Sequence, residues 1–547
     1  MSGYLSLVLH AHLPFVRHPE HEKFLEENWL YEAVMETYVP LLQLLERWHR
    51  EAINVPLTLT LSPTLCAMLQ DALLQQRCAR RLDELIELAE KEIHRTHWQK
   101  PFHDLAGFYH HRLRGIRDFY AACDRDLVGA FRRLQDLGRL EIITSAATHG
   151  LLPLLAQHAP SLRAQILVAR DHYRSCFGRE PRGIWLPECA YVEAIEPILR
   201  EANLRWFILD AHGLLHARPQ PRYALFAPIV TRDGLAAFAR DLDSARQVWS
   251  REEGYPGDPR YRDFYRDLGF DLDFDYMKPY LPANGIRGFT GFKYYRITGP
   301  GSGKEAYDRP AALRAADEHA GHFLAARAGQ MERLAGALDR PPLVLCAYDA
   351  ELFGHWWFEG PEFLDLFARK AFFDQKVFTL ITPEEYLRRH PTNQLATPSA
   401  SSWGDEGHWQ VWLDEQNEWI YPHLHMAQQR MTELVNRFGG CGGPGVASAF
   451  GEARPGRPLL DRALKQAGRE LLLAQASDWP FMLRAGTSAD YARRRVKDHL
   501  LRFTALYEQL KSGNIDELRL NEIEASDNLF PEVDYRYWAA SGDEAAS

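Results

Sequence analysis

The sequence predicts an α/β fold built on a parallel sheet, open or closed into a barrel, followed by a purely helical segment. Three observations predict it. Short apolar runs alternate with amphipathic stretches through most of the chain, polar residues recur at the carboxyl ends of those runs, and from about Glu415 only helical periodicity remains. The chain has 547 residues, enough for two to four domains at about 150 residues each, although one β/α barrel can exceed about 250.

The first strand is expected in YLSLVLHAH (4–12), with EAVMETYVPLLQLLERWH behind it as an amphipathic helix. VPLTLTLS (55–62) is the second, followed by the helical CARRLDELIELAEKEI. LEIITSAATH (140–149), RGIWLPE (182–188), RWFILDAH (205–212), LAAFARD (235–241), PLVLCAYDAE (342–351) and VFTLIT (377–382) continue the series. Several are continuous apolar runs, as strands buried on both faces should be. The stretch from Ser244 to Gly303 breaks the alternation and is rich in Tyr, Asp, Gly and Pro, which predicts a long functional loop. After Glu415, EWIYPHLHMAQQRMTELVNRF, RALKQAGRELLLAQASDW and YARRRVKDHLLRFTALYEQLKSG read as helices of a separate domain. The Gly-rich FGGCGGPGVASAFGEARPG between the first two is expected to be a mobile surface loop, and SGDEAAS a disordered tail.

Composition excludes several classes. Lys+Arg 64 against Asp+Glu 74 gives a net charge of −10, with 46% hydrophobic and 25% charged residues, so neither a disordered chain nor a phosphate-coating protein fits. The seven cysteines include no CxxC pair, which argues against a disulfide scaffold or structural zinc and points to a reducing cytoplasm. The start MSGYLSLVLHAHLPF has no basic region and is interrupted by His10, and no run reaches the length of a membrane span, so neither secretion signal nor membrane insertion is expected. GPGSGK (299–304) is not a phosphate loop, because Thr298 stands where its first glycine should be and Glu305 where Ser or Thr should follow.

The chemistry-bearing residues gather at strand ends. His10 and His12, His149, Glu188, Asp210 and His212, Arg240 and Asp241, and Asp349 with Glu351 all sit there, on the face where a β/α barrel builds its active site. His10-x-His12 puts two imidazoles on one side of a strand. That spacing leaves three readings open: a zinc or manganese site completed by Asp210, His212 or Asp349, contacts to ligand hydroxyls, or a buried pair bonded to backbone. Glu188 follows Pro187 at a strand end, and Asp349 precedes ELFGHWWFEG, whose Trp356 and Trp357 could wall a pocket. Two such carboxyls can flank one scissile bond as nucleophile and acid/base, or serve as caps and ion-pair partners. The fourteen tryptophans, with Trp356, Trp357, Trp403, Trp409, Trp412 and Trp419 close together, mean either a dense core or stacking platforms for sugar rings.

HAHLPF (10–15), AATHGLLPL (146–154), GIWLPECAY (183–191), YDAELFGHWWFEG (348–360) and SSWGDEGHWQVWL (401–413) resemble, in order and spacing, the five signature segments of glycoside hydrolase family 57. With QVWSREEGYPGD, GFKYYRITG and AQASDWPF the resemblance is to the glucan branching type within it. The resemblance implies an incomplete (β/α)7 barrel over 1–398 with an inserted loop and helical segment at about 244–303, and a C-terminal all-α domain over 399–540 that closes the cleft. It implies Glu188 as nucleophile and Asp349 as acid/base, with His10, His12 and His149 lining the subsite of the cleaved glucosyl unit and neither metal nor other cofactor required. Trp29, Trp403 and Trp412 would be cleft aromatics and Asp478 a helical-domain residue facing the substrate. Arg240 and Trp356 are further substrate-binding candidates, and the loop carrying Tyr255 is expected to cover the cleft. The implied partner is an α-1,4-glucan, with no nucleic acid or membrane, acted on by a cytoplasmic monomer. The implied reaction is branching by double displacement. A hydrolytic α-amylase or 4-α-glucanotransferase of the same family, a metal-dependent deacetylase- or mannosidase-like barrel, and a noncatalytic glucan-binding protein are the alternatives.

Overall fold

A computed structural model describes residues 2–250, 253–283, 285–299, 303–438 and 457–540. The strands are β1 Gly3–Ala11, β2 Leu57–Leu61, β3 Leu140–Ile143, β4 Gly183–Trp185, β5 Trp206–Leu209, β6 Ile229–Val230, β7 Ala236–Ala239, β8 Leu343–Asp349, β9 Phe378–Leu380 and β10 Gln394–Leu395. Seven of these lie inside the runs expected from sequence, and β1 begins one residue before its run. The two-residue β6 and β10 carry too few side chains to show a period, and β6 runs antiparallel to β7.

The strands form two sheets. One has the order β3-β2-β1-β8 with β9 also on β1; the other is β10-β6-β7-β5-β4. Parallel pairing holds β1 to β8 and β9, β4 to β5, and β5 to β7. Each connection between neighbours therefore has to cross back over the sheet, which the amphipathic segments do as helices. β1, β2 and β5 are buried almost throughout, including the threonines of β2 and Ser6 of β1, as strands covered on both faces are.

The chain divides into two compact units. The first contains 1–59, 68–142 and 240–391, and the second 60–67, 143–239 and 392–547. In the second, the strand-bearing stretch 143–239 and the C-terminal helices thus belong together, an interleaving that a linear reading does not reveal. The helices expected after Glu415 appear as Ile420–Phe438, Arg457–Ala474, Asp478–Ala485, Ala489–Ser512 and Glu517–Ser526. A buried ion cluster, in which His499 Nδ1 lies 2.8 Å from Glu470 and 3.6 Å from Asp527, with Arg495 and the partly exposed Arg502 also engaging Asp527, ties the helices Arg457–Ala474 and Ala489–Ser512 to the residue that follows Glu517–Ser526. No helix among the described residues is long and apolar enough to cross a membrane.

The described residues of the stretch expected as a long loop form a folded insertion in the first unit. It contains the helix Leu242–Trp249 and short helical turns at Leu268–Asp271, Phe274–Met277 and Lys278–Tyr280. Buried Asp267 organises it by accepting from the backbone N–H groups of Gly269, Thr290 and Gly291 and the Thr290 hydroxyl. The sequence signal was misleading because aromatic and Gly/Pro-rich composition describes both a mobile loop and a turn-rich packed segment. The Gly-rich stretch at 439–456, the tail after Ala540 and part of GPGSGK lie outside the described residues.

Candidate active site

The site residues expected from sequence fall into two groups, one in each unit. In the first unit, β1 and β8 run in parallel register with His10 opposite Asp349, so both side chains leave the same carboxyl end of the sheet. The rings of His10 and His12 stack with centroids 6.0 Å apart and 24° between planes. Burial, reinforced by His12, holds the His10 imidazole well below its ordinary value, so it is neutral at pH 7. Glu351, two residues past Asp349, is buried; its Oε1 accepts from the His12 backbone N–H at 3.2 Å and from the Tyr38 hydroxyl. Burial pushes the Glu351 carboxyl up, and the Tyr38 hydrogen bond offsets only part of that. Tyr38 was missed from sequence because it lies in an amphipathic stretch and reads as core.

Other first-unit candidates are less alike. Trp29 sits half-buried on the helix Glu27–Ala33, and Arg240 is half-buried directly after β7. Asp241, beside it, is structural: it caps Leu242–Trp249 through the Ser244 N–H and is held by Arg327 and Gln330 at 2.8 Å each. Trp356 is 54% exposed. Tyr255, the residue of the expected covering loop singled out from sequence, packs inward. It is only 8% exposed, stacks on His319 at 4.6 Å, and its hydroxyl lies 2.7 Å from His322 Nδ1. The ring is anchored inward against the long helix Arg309–Ala337.

In the second unit the arrangement centres on Glu188, which follows β4 in the left-handed region at φ 60° and ψ 24°, with Cys189 next to it at φ 49°. Two successive non-glycine residues with positive φ are a strained turn, held by what surrounds it. Glu188 Oε1 accepts the Ser477 hydroxyl at 2.9 Å and Oε2 accepts the indole N–H of Trp403 at 2.8 Å. The Trp403 backbone N–H also donates to the Glu188 carbonyl at 3.0 Å. His149 Nδ1 lies 2.9 Å from Ser477 Oγ and 3.7 Å from Glu188 Oε1. With the hydroxyl hydrogen given to Glu188, Nδ1 carries the hydrogen that Oγ accepts. The result is a chain from imidazole through hydroxyl to a carboxylate whose side chain is only 14% exposed.

Two expectations change here. Trp403 touches the carboxylate itself instead of standing apart as a platform, with Trp185 edge-on to it at 5.2 Å. Trp412 is 1% exposed and packs with Leu151, Leu154 and Ala190, so its ring faces are occupied by protein. A Cβ on Gly404 would come within 2.5 Å of that indole, which shows how closely the backbone covers it. Asp478 begins the helix Asp478–Ala485 and is half-buried, while its neighbour Ser477 makes the contact to Glu188. Ser477 was missed because a lone serine in ASDWPF carries no spacing signal. Asp210 and His212, offered as metal ligands, bond to each other at 2.9 Å, and the other His212 nitrogen lies 2.8 Å from the Gly407 carbonyl.

The profile of glycosyl hydrolase family 57 matches residues 6–398, and that of the 1,4-alpha-glucan branching enzyme C-terminal region matches 423–538. A 1,4-alpha-glucan branching enzyme of Thermococcus kodakarensis is 31% identical, with 97% of this chain and 78% of the relative covered. The crystal structure of the α-amylase AmyC from Thermotoga maritima superposes with a TM-score of 0.90 at 40% identity, covering 99% of this chain and 100% of that one. That of a branching enzyme from Pyrococcus horikoshii does so with a TM-score of 0.86 at 30% identity, covering 99% and 97%. With a family profile spanning most of the sequence and relatives alike along nearly its whole length, the chain belongs to glycosyl hydrolase family 57.

Proposed function

We propose that the chain is a 1,4-alpha-glucan branching enzyme working by retaining double displacement. Glu188 attacks the anomeric carbon of an α-1,4-linked glucosyl unit while Asp349 protonates the departing O4, leaving a β-linked glucosyl ester on Glu188. Asp349, now ionised, takes the proton of an acceptor C6 hydroxyl, whose oxygen displaces Glu188 and forms an α-1,6 link. Two inversions return the α configuration. The observation that carries the reading is the hold on Glu188: an ionised carboxylate only accepts hydrogen bonds, and both its oxygens take one, from Ser477 and Trp403. A side chain fixed this way loses little freedom on reaching its attack geometry.

Neutral His10, with His12 and His149, suits sugar hydroxyls, which both donate and accept. Trp29, Arg240, Trp356 and Asp478 are the further glucan contacts in this reading, and no metal takes part. For the fold we propose an incomplete (β/α)7 barrel over 1–398, supported by the parallel strands and by the bridge from Thr144, just past β3, to Ile184 of β4, with a helical domain over 399–540. A monomer in the cytoplasm completes the proposal.

The second reading is a hydrolytic α-amylase, favoured by the 40% identity to AmyC. It shares every step up to the glycosyl-enzyme and differs only in whether water or a C6 hydroxyl accepts. Incubation with amylose, followed by debranching and chain-length analysis beside a reducing-end assay, separates them. Branching yields new short chains on debranching with few new reducing ends; hydrolysis yields reducing ends alone.

A further inference from the structure

We propose that Trp356 is a glucan platform beyond the reacting residues and that Glu36 is the positioning residue that fixes it, a proposal that rests on the glucan reading above. Glu36 lies in a π-helical turn, Val34–Tyr38, and such turns occur frequently at functional sites. Its backbone meets the loop after β8: Gly354 has φ +118°, and a Cβ there would fall 1.9 Å from the Glu36 carbonyl oxygen. Only glycine lets the loop seat this closely. The Glu36 carboxylate then takes His355 Nδ1 at 2.6 Å and Arg262 Nη2 at 3.3 Å. Burial alone would raise this carboxyl, but His355, Arg262 and Lys293 bring it to about 2, so it stays charged at any assay pH.

His355 stands edge-on to Trp356 at 5.2 Å and to Phe264 at 5.4 Å. Trp356 stacks on Phe264 at 4.7 Å and 26°, and the Lys293 ammonium lies 4.0 Å from the Phe264 centroid. Both cannot share one face, so Phe264 is sandwiched. Trp356 therefore has one face backed, one edge braced and, at 54% exposure, the other face open. A single open indole face is far below the roughly 800 Å² per partner of a stable protein interface, but it matches one sugar ring. A ring already braced loses little entropy on stacking.

The test is affinity electrophoresis of the full chain in amylose gels, with melting temperatures as the fold control. Trp356→Ala should weaken amylose binding about fivefold or more, the size of one lost stacking contact. Glu36→Gln should weaken it by a smaller factor, raise KM for amylose more than it lowers kcat, and be largely rescued by Glu36→Asp, which keeps the charge. Unchanged retardation of folded Trp356→Ala would overturn the platform. Wild-type retardation of Glu36→Gln, or equal falls in kcat and 1/KM, would overturn the positioning role, and His355→Asn gives the same readout if Glu36→Gln does not fold. Equal weakening by Trp98→Ala, at a 92% exposed indole elsewhere on the surface, would also overturn it. Failure of the wild type itself to bind amylose would defeat the glucan reading, and this proposal with it.

Discussion

Replacing Trp403 by Phe removes one hydrogen-bond donor from Glu188 while keeping an aromatic ring against Trp185. The lost contact is the 2.8 Å bond from the indole N–H to Oε2; the backbone bond from Trp403 to the Glu188 carbonyl stays. A hydrogen bond to a charged group contributes about 1.5–3 kcal/mol. That contact stabilises Glu188 as the leaving carboxylate in the second displacement, so its loss slows release of the glycosyl-enzyme by roughly 10- to 150-fold. The first displacement, in which Glu188 loses its charge, is not slowed in the same way. The variant should therefore show a lower kcat and, with a substrate bearing a good leaving group such as maltosyl fluoride, a burst as the intermediate accumulates. Transfer and hydrolysis share that intermediate, so both rates fall together and their ratio stays constant. A kcat within twofold of wild type in a folded variant, or a selective loss of branching, would refute this account and leave Trp403 a cleft aromatic that stacks on the sugar.

Four further outcomes follow from the same geometry. Glu188→Gln should abolish branching and hydrolysis alike without unfolding the chain, measured by both product assays and the melting curve; a tenth of the activity remaining would remove Glu188 from the nucleophile role. Asp349→Asn should be severe with amylose but partly rescued for glycosyl-enzyme formation from maltosyl fluoride, which needs no protonation to leave. Tyr255→Ala should cost about 3–5 kcal/mol of stability, as aromatic core truncations do, with the branching-to-hydrolysis ratio unchanged, read by thermal melts and product analysis. Glu36 makes stability fall on the acid side: its folded value of about 2 lies below the unfolded range, so its contribution, about 3 kcal/mol, is present above roughly pH 4.3 and lost as pH falls toward 2. The stability gap between wild type and Glu36→Gln should accordingly close on acidification.

Most of the strand layout was legible because burial on both faces leaves apolar runs such as LVLCAYD and RWFIL that need no context to recognise. His10, Asp349 and Glu188 were legible for a related reason: an ionisable group ending an apolar strand stands out against its neighbours. Trp403 and Trp412 show the limit. Both lie in SSWGDEGHWQVWL at a spacing that suggests a pair, yet one donates to a carboxylate and the other fills a core. Indole chemistry permits both, and only the neighbours supplied by distant chain segments decide. Ser477 and Tyr38 were invisible for the same reason, since their partners lie 289 and 313 residues away. Tyr255 misled because a tyrosine near a Gly-Pro turn looks exposed until the helix Arg309–Ala337 is known to receive it.

The central claim is that Glu188, held by Ser477 and Trp403 on its strained turn, forms the covalent bond to the sugar. The most direct measurement is peptide mass mapping of Asp349→Asn protein quenched during turnover of maltosyl fluoride. The account predicts a maltosyl adduct on the peptide that contains Glu188, absent when Glu188→Gln is combined with it. An adduct on any other residue, or release of a β-configured product with no adduct at all, would contradict it.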